Sequence, residues 1–529
     1  MNAFIKFLFI TFGIISANNT MAYFSLKNSD GITLYYEVVD EQCRKVEVLA
    51  APAVNSYPVT IPDSISYQGV VYDVIGIGRG AFYFCWLHEV SIPESVQYIE
   101  DYAFAYSSLY SITIPNSVKR IGKGVFDGCE DLESVVLSNQ LTEIPENSFI
   151  SCSSLSVCVI PESVKSIGPR AFHGCANFNT INLENIESIG EEAFVATSIT
   201  SVVLSEKLNS IPYQCFLGCH LLSSIILPNS IKSIGYEAFA NCHSLSHIVL
   251  PNSITSIGRA VFEGSGIETI SLPNKLKEIV EYSFYNCYKL KEITIPQSVV
   301  KIGAFSFGEC KNLVSVVLPD SLETIEQWTF SNCSSLTDVV FPNMLDSIGT
   351  GAFFGCTSLC NLSLPKRLRV IESSGFEGCS SLTSVILPDS LLWLFDSVFA
   401  DCPNLKSVTI PNSCVYLETY VFSGCENIEE IRSFIEDPYP IPVECFLDVV
   451  KRNAILYVPK GAKRWYEVTE GWEDFATIVE DENMSGIKKI KDFGKEFKSR
   501  WYTPQGFHIT NGPKGRGVYL RDGKKFVVK

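Results

Sequence analysis

Ser233–Gly266 reads SIGYEAFANCHSLSHIVLPNSITSIGRAVFEGSG, and it states one phrase twice. Ser233-Ile234-Gly235 precedes Phe239, and Ser256-Ile257-Gly258 precedes Phe262. Working outward in both directions, the same phenylalanine returns at Phe82, Phe104, Phe126, Phe149, Phe172, Phe194, Phe216, Phe239, Phe262, Phe284, Phe307, Phe330, Phe353, Phe376, Phe399, Phe422 and Phe446. These seventeen positions lie 22 to 24 residues apart, so the duplication is the rule by which most of the chain is built. The unit is C-x-x-L-x-x-I-x-L-P-x-S-x-x-x-I-G-x-x-A-F, as in Cys379–Phe399. Its period falls among those of leucine-rich repeats.

One unit cannot fold alone. About six apolar positions, at roughly 1.5–3 kcal/mol each, supply at most ~18 kcal/mol. Ordering about 23 residues costs ~23 kcal/mol or more in backbone entropy, so neighbouring copies must supply the missing burial. Ser224–Pro228, SIILP, alternates and is β-branched, which predicts one short strand per turn. The expected fold is a leucine-rich-repeat solenoid, mainly β, of about 17 repeats of 22–24 residues, forming a curved parallel-sheet rod with terminal caps.

Two irregularities refine the unit. The 22-residue steps after Phe104, Phe194 and Phe262 are those at which the cysteine is replaced, by Ser107, Thr197 and Ser265, which predicts that cysteine and turn length belong to one local conformation. The glycine of the Ser-Ile-Gly phrase (Gly122, Gly168, Gly235, Gly258, Gly303, Gly349) gives way to Pro145 and Pro212 elsewhere. Proline cannot take positive φ, so glycine is expected there for close packing rather than for a left-handed turn.

The ends differ from the middle. Lys6 followed by an apolar run from Phe7 to Ala17, with Thr20 and Ala22 at cleavage spacing, predicts a signal peptide over 1–22. No later apolar stretch is long enough for a membrane helix, so no membrane insertion is expected after cleavage. The net charge is −17, yet residues 481–529 hold 12 Lys/Arg against 5 Asp/Glu, so the body is more acidic still. An acidic body repels phosphate backbones, which excludes nucleic acid as a partner.

Leu109–Cys129, LYSITIPNSVKRIGKGVFDGC, resembles the BspA-like leucine-rich repeats of surface and secreted proteins from anaerobic bacteria of mouth and gut. The resemblance covers about residues 60–450 and implies a boundary plan: an N-terminal β cap over 23–75, repeats over 76–450, a closing unit over 451–480, and a basic linker with a C-terminal β module over 481–529. That last module resembles the tail of many exported Bacteroidetes proteins, some of which use it for sorting. Tyr502, Gly506, Gly517, Tyr519 and Gly523 carry this likeness. The family implies a secreted or outer-cell-surface protein that binds an extracellular protein or glycan ligand, with host matrix among the candidates. Oligomeric state is left open.

Chemistry-bearing motifs are sparse. Thirteen of the 19 cysteines follow the repeat phenylalanine by three residues, and a column of small buried side chains satisfying backbone at the turn is expected over a disulfide ladder. Cys356 with Cys360, or Cys215 with Cys219, are the exceptional pairs. His243 and His247 have helical zinc spacing, but they sit on a turn and a strand, where that spacing does not converge. No catalytic residue, cofactor or metal site is assigned, and no enzymatic activity is expected. Trp86, Tyr110, Tyr285 and Tyr288 are too dispersed along the chain to favour glycan capture. The outward strand position is the candidate ligand-facing stripe, with Val136, Val159, Val203, Ile226, Val249, Val317, Val340 and Ile386 as its apolar members. Such a line is either a binding strip or a set of ordinary strand formers. Adhesion leads this reading, with nutrient capture and a purely structural rod as alternatives.

Overall fold

The computed structural model describes residues 23–51 and 58–484, and the backbone of 501–502, 508–509, 517–521 and 524–528. The expected signal segment, the linker and the tail positions Gly506 and Gly523 lie outside the described residues. The chain divides into two compact units, residues 1–254 and 255–529, and each is a β-solenoid.

The first unit opens with antiparallel strands β1 (Tyr23–Lys27), β2 (Thr33–Asp40) and β3 (Lys45–Ala50). Strand β4 (Val59–Thr60) pairs with Val90–Ser91. Strands β5 (Ser64–Tyr67) and β6 (Val70–Ile77) form a hairpin through Gln68 and Gly69, both at positive φ, as a tight two-residue turn requires. β6 lies parallel to β3 on one side and to Tyr98–Ile99 on the other, so the opening sheet runs directly into the first repeats and covers their end.

Each repeat then makes one turn with three backbone ladders. The first is the short strand, in register from copy to copy, as in Ser111–Thr113 beside Ser134–Val136 and Ser201–Val203 beside Ser224–Ile226. The second is a two-residue strand at the Ser-Ile phrase, Ser166–Ile167 between Glu143–Ile144 and Ser188–Ile189. The third carries the phenylalanine, whose N–H donates to the next copy, as Phe126 does to Ser148 at 2.9 Å. From Phe82 to Phe239 the rings stack with centroids 5.2–5.8 Å apart. All are fully buried.

The second unit repeats this plan from Phe262 to Phe446, with ring centroids 5.0–5.8 Å apart. Its closing sheet adds Glu430–Ser433, Ile455–Pro459 and Thr477–Asp481 in parallel. Trp472, fully buried, packs its ring against Phe446 and Phe475 and donates its indole N–H to the Tyr439 carbonyl. In the tail, Tyr502, Gly517 and Tyr519 fall on strands of a four-stranded antiparallel sheet.

The Ser-Ile-Gly glycine is there for closeness, as expected. A Cβ on Gly235 would lie 2.6 Å from the Tyr213 nitrogen, and Gly235 itself has no positive φ. The left-handed residues lie elsewhere, two residues after that glycine and two after the phenylalanine. They include Arg170, Glu192, Gln214 and Glu237 in one column, and Ser151, Ala196 and Asn241 in the other. Among the described residues none of the left-handed ones is β-branched, the class that conformation tolerates least.

The tie between cysteine and step length holds only in part. Ser107, Thr197 and Ser265 each place a hydroxyl 3.3–3.4 Å from the thiol of the next repeat. Steps of 22 residues also follow Phe82 and Phe172, which keep Cys85 and Cys175. The first shortens the turn to Cys85-Trp86-Leu87, and the second loses its residue after the strand, between Leu183 and Ile186. A shorter turn therefore does not demand a hydroxyl.

Candidate functional site

The cysteine column is built as a backbone device. Cys152 donates its thiol to the Phe126 carbonyl at 3.1 Å, Cys175 to Phe149 at 3.0 Å, and Cys333 to Phe307 at 3.2 Å. None of the 19 cysteines forms a disulfide, and only Cys43 and Cys360 are exposed. The pairs considered above, Cys356 with Cys360 and Cys215 with Cys219, are likewise free thiols. Burial pushes Cys129 and Cys287 up to about 12, so these groups stay protonated and unreactive. Native alkylation should therefore add two adducts by intact mass, with the other seventeen appearing only on unfolding. Rapid modification of more than two would mean the column is open to solvent.

The histidines do not converge. His220 stacks on His243 at 4.7 Å, and His247 sits beside the Ser246 hydroxyl at 2.9 Å. Among the described residues no group of three or more His, Cys, Asp or Glu is placed to hold a metal ion. Nor is any helix among them long and apolar enough to cross a membrane.

Aromatics beyond Trp86, Tyr110, Tyr285 and Tyr288 form a ladder that the sequence reading did not single out. Tyr282, Phe305 and Trp328 occupy one register position in successive repeats and stack at 4.9 and 6.2 Å, with Tyr285 edge-on to both Tyr282 and Phe305. Residues dispersed in sequence are thus gathered by the repeat. Yet the ring faces are taken: the Arg259 guanidinium covers Tyr282 at 4.7 Å, and Gly351 leaves no room for a Cβ above the Trp328 indole. Sugars stack on free faces, and this ladder offers mainly edges. The signal was legible in the repeat register, since Tyr282, Phe305 and Trp328 each lie two before a repeat phenylalanine.

Two carboxylates with raised pKa escaped the sequence, Glu47, which is half-buried, and Glu372, which is buried. Glu47 accepts from the Tyr98 hydroxyl at 2.8 Å and lies opposite Glu37 across the strand pair. Burial pushes it up to about 7, with the neighbouring carboxylates adding to the rise. Glu372 stands where other repeats have the close-packed glycine. It reaches back to accept from the N–H and hydroxyl of Thr350, both at 3.1 Å, and burial pushes it up to about 7 as well. Because the folded state holds this proton more tightly than the unfolded chain, its contribution is complete below the ordinary carboxyl range near pH 4.5. It is lost as pH rises through 7, by up to about 3 kcal/mol. Urea denaturation should find the protein less stable at pH 7.5 than at pH 5, with Glu372→Gln flattening part of that slope. An unchanged slope in the variant would mean Glu372 is already ionised at pH 5.

The strand stripe faces solvent throughout. In the first unit Val136 is 58% exposed, Val159 76%, Val203 42%, Ile226 59% and Val249 81%. In the second, Val317, Val340 and Ile386 are more than half exposed. Direct register pairing joins Val203 to Ile226 and Val317 to Val340, while the residues between them, such as Val202 and Ile225, point into the core. The strand ladder lapses at two repeats. Residues 180–182 and 361–364 carry no strand, and their inward-facing Ile181 and Leu362 are only half-buried.

The family described as BspA type leucine-rich repeat region matches overlapping windows, 75–200, 143–268, 209–337, 256–365 and 329–449. A leucine-rich repeat protein from Bacteroides ovatus is 28% identical, with a TM-score of 0.57 over 75% of this chain and 92% of its own. A leucine-rich cell surface protein from Faecalibacterium prausnitzii is 20% identical over 79% and 96%, with a TM-score of 0.35. The pneumococcal vaccine antigen PcpA is 17% identical over 87% and 99%, with a TM-score of 0.33. No curated protein matches the chain.

Proposed function

The chain belongs to the BspA-type leucine-rich-repeat family, and on that premise we propose that it is an exported, non-catalytic binding protein that adheres to host or matrix proteins through its strand face. Family membership supports protein–protein interaction as the general role. The observation that carries the finer reading is the stripe: eight apolar β-branched side chains, all exposed, at one register position. Within each unit, apolar side chains exposed at the same position of several repeats are typical of contact surfaces. Export is supported by the sequence of residues 1–22. The occupied ring faces of Tyr282 and Trp328 weigh against glycan capture at that ladder.

The test is a binding screen of the purified chain against mucosal matrix proteins, mucins and glycans. It is repeated with Val136→Glu, Val203→Glu, Ile226→Glu and Val249→Glu combined, with folding checked by circular dichroism. Saturable binding to a protein, lost in the variant, is the expected result. Binding that survives the variant would move the site off the strand face, and binding to glycans alone would replace adhesion with nutrient capture.

A further inference from the structure

We infer that the strand face of the first unit takes a cationic polypeptide segment, an extended stretch in which apolar side chains alternate with lysine or arginine. The inference rests on the binding role proposed above and adds the chemistry of the partner. It begins with where the charges lie. In the eight repeats from Phe82 to Phe239, no strand of the first ladder and no turn leading into one carries a Lys or Arg; these segments are 85–92, 107–114, 129–137, 152–160, 175–183, 197–204, 219–227 and 242–250. The cations of these repeats (Lys119, Arg120, Lys123, Lys165, Arg170, Lys207 and Lys232) all fall on the other two ladders or the link to them.

Carboxylates have not been cleared in the same way. Glu89, Glu130, Asp131 and Glu133 lie at or just before the strands, Glu94, Glu162, Glu184 and Glu206 just after them, and all eight are exposed. Carboxylates therefore precede the strand of Val136 and follow those of Val159 and Val203, none flanks Ile226 or Val249 in these segments, and the stripe of Val136, Val159, Val203, Ile226 and Val249 carries no cation. Four histidines, His88, His220, His243 and His247, share the turns and strands. The second unit lacks this segregation: Lys289, Lys291, Lys311, Lys406 and Arg432 occupy the matching segments. A low-charge apolar line with margins of one sign attracts the opposite sign and rejects its own by like-charge repulsion. Stripe members sit on successive strands about 4.8 Å apart, whereas an extended partner repeats its same-face side chains about every 6.6 Å, so apolar side chains of the partner meet the stripe without matching it one for one.

The probes are three labelled peptides of equal length, alternating Lys-Val, Lys-Ser and Glu-Val, titrated with the full chain by fluorescence anisotropy. Lys-Val should bind best, with affinity falling as salt is raised, because exposed charges are screened. Glu133→Gln, Glu162→Gln and Glu206→Gln combined should weaken Lys-Val roughly tenfold. Val203→Ser, Ile226→Ser and Val249→Ser combined should weaken it at least as much, since buried anchors dominate such interfaces. Lys-Ser binding equal to Lys-Val would overturn the role of the stripe. Glu-Val binding as well as Lys-Val, or indifference of Lys-Val to the three Gln changes, would overturn the role of the margins. If a matrix protein from the screen binds through the stripe while Lys-Val does not bind at all, this inference fails and the adhesive reading stands.

Discussion

Replacing Phe216 with alanine should cost about 3–5 kcal/mol, among the largest single losses available in the first unit. The ring is fully buried and stacked on both sides, 5.4 Å from Phe194 and 5.7 Å from Phe239. Removing it opens a cavity between two repeat interfaces at once, and in a stacked array stability is close to a sum of such interface terms. The backbone ladder gives the walls little freedom to collapse, because the Phe216 N–H is held by Ala238 at 3.0 Å and its carbonyl takes the Cys242 thiol at 3.2 Å. Phe216→Leu should lose substantially less, since an apolar side chain still fills part of the space. The exposed Phe84, which stacks on Tyr106 at the surface, supplies the control: Phe84→Ala should shift stability by no more than about 0.5 kcal/mol. Urea denaturation followed by circular dichroism reads all three. A loss at Phe216 no larger than at Phe84 would show that the phenylalanine column is not the core of the solenoid.

Legibility in the sequence followed the number of copies that share one environment. Phenylalanine and cysteine recur because every turn places them against the same neighbours, so the period, the buried core and the inert thiol column could all be read. The close-packed glycine was readable for a different reason: Pro145 and Pro212 at the same place exclude positive φ. The two left-handed columns were not, because Arg170, Glu192, Gln214 and Glu237 share no side-chain property. What fixes them is the backbone, as when the Arg170 N–H donates to Glu191 in the next copy. The tie between cysteine and turn length holds only in part because two other shortened repeats, after Phe82 and Phe172, absorb the loss without losing the thiol. Glu47 and Glu372 were invisible since burial of a carboxylate depends on the neighbouring repeat, not on its own.

The stripe was legible as exposed surface from the alternation of Ser201-Val202-Val203, and the structure places all eight members outward. Its use was not. A valine facing water on a strand satisfies β propensity and a binding role equally well, and one sequence cannot separate them. The absence of Lys and Arg from the same face is a stronger signal, because strand propensity gives no reason for cations to avoid eight repeats in one unit and occur in the other.

Gly235→Ala should be costly in a way that Gly218→Ala, one repeat earlier, is not. At Gly235 the added Cβ would meet the Tyr213 nitrogen at 2.6 Å, the Pro212 carbonyl carbon at 2.7 Å and its oxygen at 2.8 Å. Every one of these is backbone of the preceding repeat, held in the ladder by bonds such as Gly235 N–H to the Ile211 carbonyl at 2.8 Å. No side chain can swing away, so the repeats must separate locally, and the expected loss is about 3 kcal/mol, at the upper end for overpacking. At Gly218 the nearest atoms to an added Cβ are 3.9 Å away, and the burden is instead a φ of +70°. That conformation costs an L-residue about 1–2 kcal/mol, and Ala196 already adopts it at the matching place one repeat before. The two substitutions delete and add the same atoms, so their difference isolates packing between copies from backbone strain. Separation of repeats should also expose the thiols around it, so native alkylation of Gly235→Ala should exceed two adducts while Gly218→Ala stays at two. Equal losses for the two variants would mean that the stack yields at the Ser-Ile-Gly phrase, and that the glycine there sets no lower limit on the distance between turns.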